Sequence, residues 1–173
     1  MKSQGSFYRL LIAPVHRSSI VLGQNLEAIF LSLLEIGILL TIDYIMSAKF
    51  HFTLCGILIV LLLLTLTTFF ISNLAYSISL KLPNEMIHET VMNIIVLALF
   101  FASTALFPLE NVHGFIRTVT LINPLSHVIN AIRDILLYQE QNNSYICLII
   151  IGMACLGIIS FLGSIHTLKR ETN

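Results

Sequence analysis

Charged side chains are scarce in this sequence, and tryptophan is absent. Asp, Glu, Lys and Arg make up 10% of the 173 residues, while hydrophobic residues make up 57%. A soluble domain carries roughly a quarter charged residues, so this composition excludes a fold whose surface faces water. Nine basic residues balance nine acidic ones, and this neutral charge gives no support to a nucleic-acid partner.

The chain also lacks the usual sequence signatures of catalysis and of metal binding. Cys55, Cys147 and Cys155 form neither a CxxC pair nor a zinc spacing, and we interpret them as small buried hydrophobic side chains. The six histidines show no metal-binding spacing. No G-x-x-x-x-G-K-[ST] sequence is present, so ATP is not bound through a P-loop. We therefore expect no enzyme activity, no cofactor and no metal site.

Long apolar runs predict an all-α integral membrane protein with four spans. These runs cover about residues 26–46, 53–79, 91–109 and 145–168. A helix needs about 20 mainly apolar residues to cross a bilayer, and only closed hydrogen-bonding structures survive in lipid. We therefore predict a transmembrane domain over 26–173, preceded by a cytoplasmic segment over 1–25.

The distribution of Lys and Arg predicts the orientation of these spans. With both termini in the cytoplasm, six basic residues lie inside and three lie outside. The positive-inside rule favours this arrangement. We therefore expect an integral membrane protein of the bacterial cytoplasmic (inner) membrane.

Residues 110–143 predict an external helical hairpin between the last two spans. Val112, Phe115, Ile116 and Val119 form one apolar helical face. Asn123-Pro124 is typical of an N-cap followed by proline at the first helical position. Each helix is too short and too polar to span. Two arrangements remain open: an amphipathic helix lying in the interface, and a re-entrant hairpin packed between spans.

Three segments resemble the transmembrane permease subunit of type 2 ABC exporters, which serve drug, polysaccharide and lipid-linked export. GSFYRLLIAPV at 5–15 is similar to the family's cytoplasmic segment before its third span. FPLE at 107–110, at the outer end of the third predicted span, also carries the resemblance. NPLS at 123–126, followed by Ile129, Ala131 and Arg133, is similar to the family's segment just before its final span. His127 and the pair Phe7-Tyr8 depart from the pattern. Such permeases have six spans, and we expect the first two to be missing here.

The resemblance implies a permease that converts closure of a separate ATP-hydrolysing subunit into rocking of two permease copies. The partners expected are therefore an ABC ATPase, a second permease copy as homo- or heterodimer, and membrane lipid. Cytoplasmic residues are expected to contact the ATPase. These are Phe7, Tyr8, Arg9, Leu10, Leu11, Lys81, Glu85, His88 and Glu89. A helix lying flat on the membrane surface is the structural alternative for the first five.

Polar residues inside apolar segments are candidates for the translocation path or its gate. The set is Glu35, Asn73, Asn123, Pro124, Arg133 and Asp134. Glu35 lies in mid-span, where a charge costs about 2.5–3.5 kcal/mol; a protonated carboxyl bonded to a neighbouring helix is the alternative. Asn73 and Ser77, and likewise Ser160 and Ser164, are i, i+4 pairs that predict polar contacts between helices.

Two other functions remain compatible with the sequence. One is a truncated, non-transporting membrane fragment or assembly factor that occupies a partner's site. The other is a component of a secondary transporter driven through Glu35. Dependence on ATP distinguishes an exporter permease from the second. Polysaccharide paths are expected to be lined with aromatic residues. The low aromatic content of 9% therefore favours drugs or small amphiphiles as substrates.

Overall fold

A computed structural model describes residues 17–46, 53–82, 84–106, 113–138 and 143–171, and no strand occurs among them. The helices are α1 (Arg17–Ile45), α2 (Leu54–Lys81), α3 (Glu85–Phe101), α4 (Phe115–Ile122), α5 (Pro124–Arg133) and α6 (Asn143–Glu171). A π-helical turn, Asp134–Tyr138, continues α5. The all-α prediction is therefore confirmed for the described residues.

Three of these helices are long and apolar enough to cross a membrane. The stretches are Ser19–Ile42 in α1, Leu54–Lys81 in α2 and Asn143–Arg170 in α6. Residues Met86–Phe101 of α3 form a shorter apolar helix. The prediction of four spans is thus supported for three helices, and a fourth span remains a prediction.

The third predicted span, 91–109, differs from the helix found there. α3 begins at Glu85, where the Asn84 side chain accepts a hydrogen bond of 3.0 Å from the amide of Ile87. Asn is a strong N-cap because its oxygen satisfies a free amide in the first turn. The helix ends at Phe101, and residues 107–112 lie outside the described residues. The cap therefore starts the helix before the apolar run begins.

The three long helices form one bundle with α2 and α6 running parallel. Leu63 of α2 packs against Ile149 and Met153 of α6, and further along Leu80 packs against Leu168. α1 runs antiparallel to both, because Val21 joins the Leu80 cluster. Leu54 and Asn143 therefore lie at the same end of the bundle, called here the outer end after the predicted orientation.

A polar cluster joins α1, α2 and α6 towards the opposite end. The Asn25 amide donates to Oδ1 of Asn73 at 3.0 Å. The Ser164 hydroxyl lies 2.8 Å from that of Ser77 and donates to the carbonyl of Asn73 at 2.7 Å. The carbonyl of Ser160 lies 3.0 Å from the same hydroxyl oxygen, as a second acceptor for its single proton. The predicted polar contacts between helices are thus confirmed at Asn73, Ser77 and Ser164.

The interpretation of the three cysteines as buried side chains was wrong. Cys55, Cys147 and Cys155 are all free thiols on the exposed surface of the bundle. In a bundle that lies in lipid, an apolar run faces outward as readily as inward, because the solvent is itself apolar. An apolar sequence context therefore does not predict burial here.

Candidate functional site

The hairpin after α3 contains four of the six residues predicted for the path or gate. α4 ends and α5 begins at Asn123, whose side-chain oxygen accepts from the amide of Leu125 at 3.0 Å. Pro124 occupies the first turn of α5, where its fixed φ suits a helix and no amide is needed. The predicted cap is confirmed, and it places the reversal of the chain at Asn123-Pro124.

One face of α5 is buried between α2 and α6. Val128 and Ala131 share an apolar cluster with Leu63 of α2 and with Met153 of α6. Leu63 is nine residues after Leu54, which corresponds to about 14 Å of helix. Met153 is ten residues after Asn143, or about 15 Å. The middle of α5 therefore lies well below the outer ends of both helices.

The exit of α5 lies nearer to those ends. Ile135, in the π-helical turn, packs against Val60 and Ile146. These two residues are six and three positions after the starts of their helices. The chain thus reverses at depth near Asn123 and returns towards the outer end along α5.

Asn123 also holds the end of α3. Its side-chain amide donates to the carbonyl of Leu99 at 2.8 Å and to that of Ala102 at 3.1 Å. Leu99 lies in the last turn of α3 and Ala102 is its C-cap, where carbonyls have no further helical donors. Asn123 is 5% exposed, so one buried side chain satisfies the end of α3 and the start of α5 together. We call this set of bonds the clasp.

Thr104 reinforces the clasp on the α3 side. Its hydroxyl donates to the carbonyl of Ser126 at 3.2 Å, and its carbonyl accepts from the Arg133 guanidinium at 3.3 Å. Thr104 and Ser126 are both buried, while Arg133 is half-buried. The segment after α3 is thereby tied to both ends of α5.

His127 links the hairpin to the final span, a contact that the sequence did not predict. Its Nε2 lies 2.9 Å from the carbonyl of Leu121, and its Nδ1 lies 3.3 Å from the hydroxyl of Tyr145 in α6. Because a carbonyl only accepts, Nε2 carries the proton, and in the neutral ring Nδ1 accepts from the tyrosine. The only sequence signal was that His127 departs from the family pattern.

The remaining predicted residues lie elsewhere. Glu35 is exposed on α1, and Asn73 is fully buried in the polar cluster. Lys81 is exposed at the end of α2, and Glu89 is exposed on α3. His88 is half-buried, with an Nδ1 that has no partner in the described part of the chain.

The predicted coupling set is only partly described. Glu85 begins α3. Phe7, Tyr8, Arg9, Leu10 and Leu11 lie outside the described residues. Asp134 is half-buried at the start of the π-helical turn, next to Arg133. Within the described ranges, no group of three His, Cys, Asp or Glu residues could hold a metal ion.

Comparison with known proteins gives consistent relatives. A family model described as ABC-2 type transporter matches residues 1–137. The chain is 30% identical over 162 residues to transport permease ycf38 of Pyropia yezoensis, covering 91% of this chain and 55% of that protein. It is 30% identical over 139 residues to the protein of that name from Porphyra purpurea, covering 80% and 47%. The chain thus spans about half the length of these curated relatives. No solved structure matches significantly.

Proposed function

The chain belongs to the ABC-2 type transporter family, and on that premise we propose that it is the permease part of an ATP-driven exporter. In this proposal it forms the membrane path, and a separate ATPase subunit hydrolyses ATP. A second permease copy completes the path. The observation that carries the proposal is the family match over 1–137, which includes the clasped hairpin. The relatives bear the name of transport permeases.

The hairpin acts as a re-entrant outer gate in this proposal. The depth of α5 between α2 and α6 supports the re-entrant arrangement over a helix lying flat in the interface. Irregular backbone at membrane depth is tolerated where protein buries it, and the clasp at Asn123 satisfies the polar groups at the reversal. Arg133 and Asp134 then lie beside the path.

The basic residues at the helix ends support the proposed orientation. Lys81 ends α2, while Lys169 and Arg170 lie in the last turn of α6. Because α2 and α6 run parallel, these cations lie at one end of the bundle, which the positive-inside rule assigns to the cytoplasm. The ATPase would dock at this end, on residues 7–11 and on the segment from Lys81 to Glu89.

Labelling of a cysteine at Asn130 tests the re-entrant gate. In a background whose three native cysteines are replaced by alanine, Asn130→Cys is expected to resist a membrane-impermeant thiol reagent applied from outside. His113→Cys serves as the matched control, because His113 is exposed before α4 begins. It is expected to label fully. Equal, complete labelling at both positions would contradict the re-entrant arrangement.

A further inference from the structure

The side of α5 away from the apolar core carries a polar stripe. Ser126, Asn130 and Arg133 are spaced i, i+4 and i+7, so they share one face of the helix. Val128 and Ala131 lie on the opposite side and pack against α2 and α6. The stripe is about 10 Å long and faces away from the core of the bundle.

The donors of this stripe are largely unused. The Ser126 side chain is 2% exposed, yet its hydroxyl has no hydrogen-bond partner among the described residues. The Asn130 side chain makes no hydrogen bond within the described ranges. Arg133 uses one N–H in a long bond of 3.3 Å to the Thr104 carbonyl, although a guanidinium carries five such donors.

No acidic residue neutralises Arg133 in the part of the chain that the structure describes. Asp134 is the nearest acid in sequence, but its position is turned about 100° further around the helix. A cation in an apolar hairpin needs a partner or water, and buried hydroxyl and amide groups are costly when unbonded. Among the described residues, the stripe therefore presents more donors and positive charge than the Thr104 carbonyl satisfies.

Resting on the proposed function, the geometry points to a binding site on this stripe for the anionic head group of an amphiphile. A guanidinium binds phosphate or carboxylate through two parallel hydrogen bonds. Ser126 and Asn130 add a hydroxyl and an amide donor along the same face. The neighbouring Leu137 is exposed, so an apolar chain attached to the head group would remain in an apolar environment. The head group belongs to a bilayer lipid or to the transported molecule.

A purely structural role for Arg133 makes a different prediction. Its place in the last turn of α5 suits the helix dipole, and its long side chain could simply reach the polar surface. Neither role involves Ser126 or Asn130. Loss of binding on replacing these two residues therefore separates a built site from a lone surface cation.

The test measures binding of dihexanoyl phosphatidic acid to the purified full chain in a neutral detergent, by native mass spectrometry. Arg133→Gln is expected to weaken binding about tenfold or more, and Arg133→Lys less. Ser126→Ala and Asn130→Ala are each expected to weaken it several-fold. Arg117→Gln, an exposed cation on α4, serves as the matched control and should bind as the wild type does.

Unchanged binding by Arg133→Gln would overturn the site, as would equal losses in Arg133→Gln and Arg117→Gln. Ser126→Ala and Asn130→Ala keep the Arg133 cation. They therefore test the binding site even if Arg133→Gln does not fold. If neither of them weakens binding, the stripe is overturned in favour of a lone cation.

The source of the head group follows from the assembled complex. Stimulation of ATP hydrolysis by dihexanoyl phosphatidic acid, lost in Arg133→Gln, supports the site and identifies cargo. Binding without stimulation supports the site and identifies a bilayer lipid. Failure of an ATPase to co-purify would contradict the proposed function, while the binding measurement on the isolated chain would still decide the site.

Discussion

Replacing Asn123 with alanine is expected to lower the free energy of unfolding by about 3 kcal/mol or more. The change removes the cap of α5 and leaves the carbonyls of Leu99 and Ala102 without their donor. Loss of an N-cap costs about 1 kcal/mol, and each buried group left unbonded adds about 1–3 kcal/mol. The measurement is equilibrium unfolding in mixed detergent micelles.

Asn130→Ala provides the matched control for this prediction. Asn130 lies on the same helix and makes no hydrogen bond within the described ranges, so its replacement should change stability by less than about 0.5 kcal/mol. Asn123→Asp keeps the capping oxygen but loses both donors and places a negative charge beside the carbonyl end of α3. It should be as damaging as alanine. Equal stability of the Asn123 and Asn130 variants would contradict the clasp.

Ser164→Leu is expected to separate α2 from α6 and to destabilise the bundle. Ser164 is fully buried and bonds to Ser77 and to the carbonyl of Asn73. Overpacking of a tight core costs about 1–3 kcal/mol, and each lost bond between helices in a membrane adds about 0.6 kcal/mol. Equilibrium unfolding in mixed detergent micelles measures the total loss of stability.

Ser144→Leu is the control for this second prediction, because Ser144 is exposed on the same helix. The leucine at this position has no neighbouring helix to displace, so the stability of the Ser144→Leu protein should stay near that of the wild type. A Ser164 variant as stable as the Ser144 variant would contradict the packing of α2 on α6 through this cluster.

Local signals in the sequence predicted the parts of the site that depend on neighbouring residues. Asn123-Pro124 predicted the start of α5, because a cap and a first-turn proline act within three residues. The i, i+4 pair of Asn73 and Ser77 predicted a contact between helices, because both residues fall on one helical face. These predictions needed no knowledge of what lies opposite.

Contacts between distant segments could not be predicted in the same way. Asn123 bonds to carbonyls 21 and 24 residues earlier, and His127 reaches Tyr145 18 residues later. Nothing in the order of residues indicates which carbonyl will lie within reach. The exposure of Cys55 was also unpredictable from an apolar run, since in lipid both faces of a helix are apolar.

Polar residues within the spans show the limit of reasoning from insertion cost alone. Glu35 and Asn73 were both candidates for the path because a polar group in lipid is costly. The structure places Asn73 at a contact of three helices and Glu35 on an exposed surface of α1. Both residues carry an insertion cost, but their surroundings differ, and the packing distinguishes them.

Affinity purification of the tagged chain from its native membrane, with mass spectrometry of all retained proteins, tests the central claim most directly. We predict that a P-loop ATPase is retained, and that the paired substitution Arg9→Asp with Leu10→Asp abolishes this retention. Ser144→Asp, at the outer end of α6, should leave it unchanged. A membrane complex that is recovered intact without any ATPase would contradict an exporter permease.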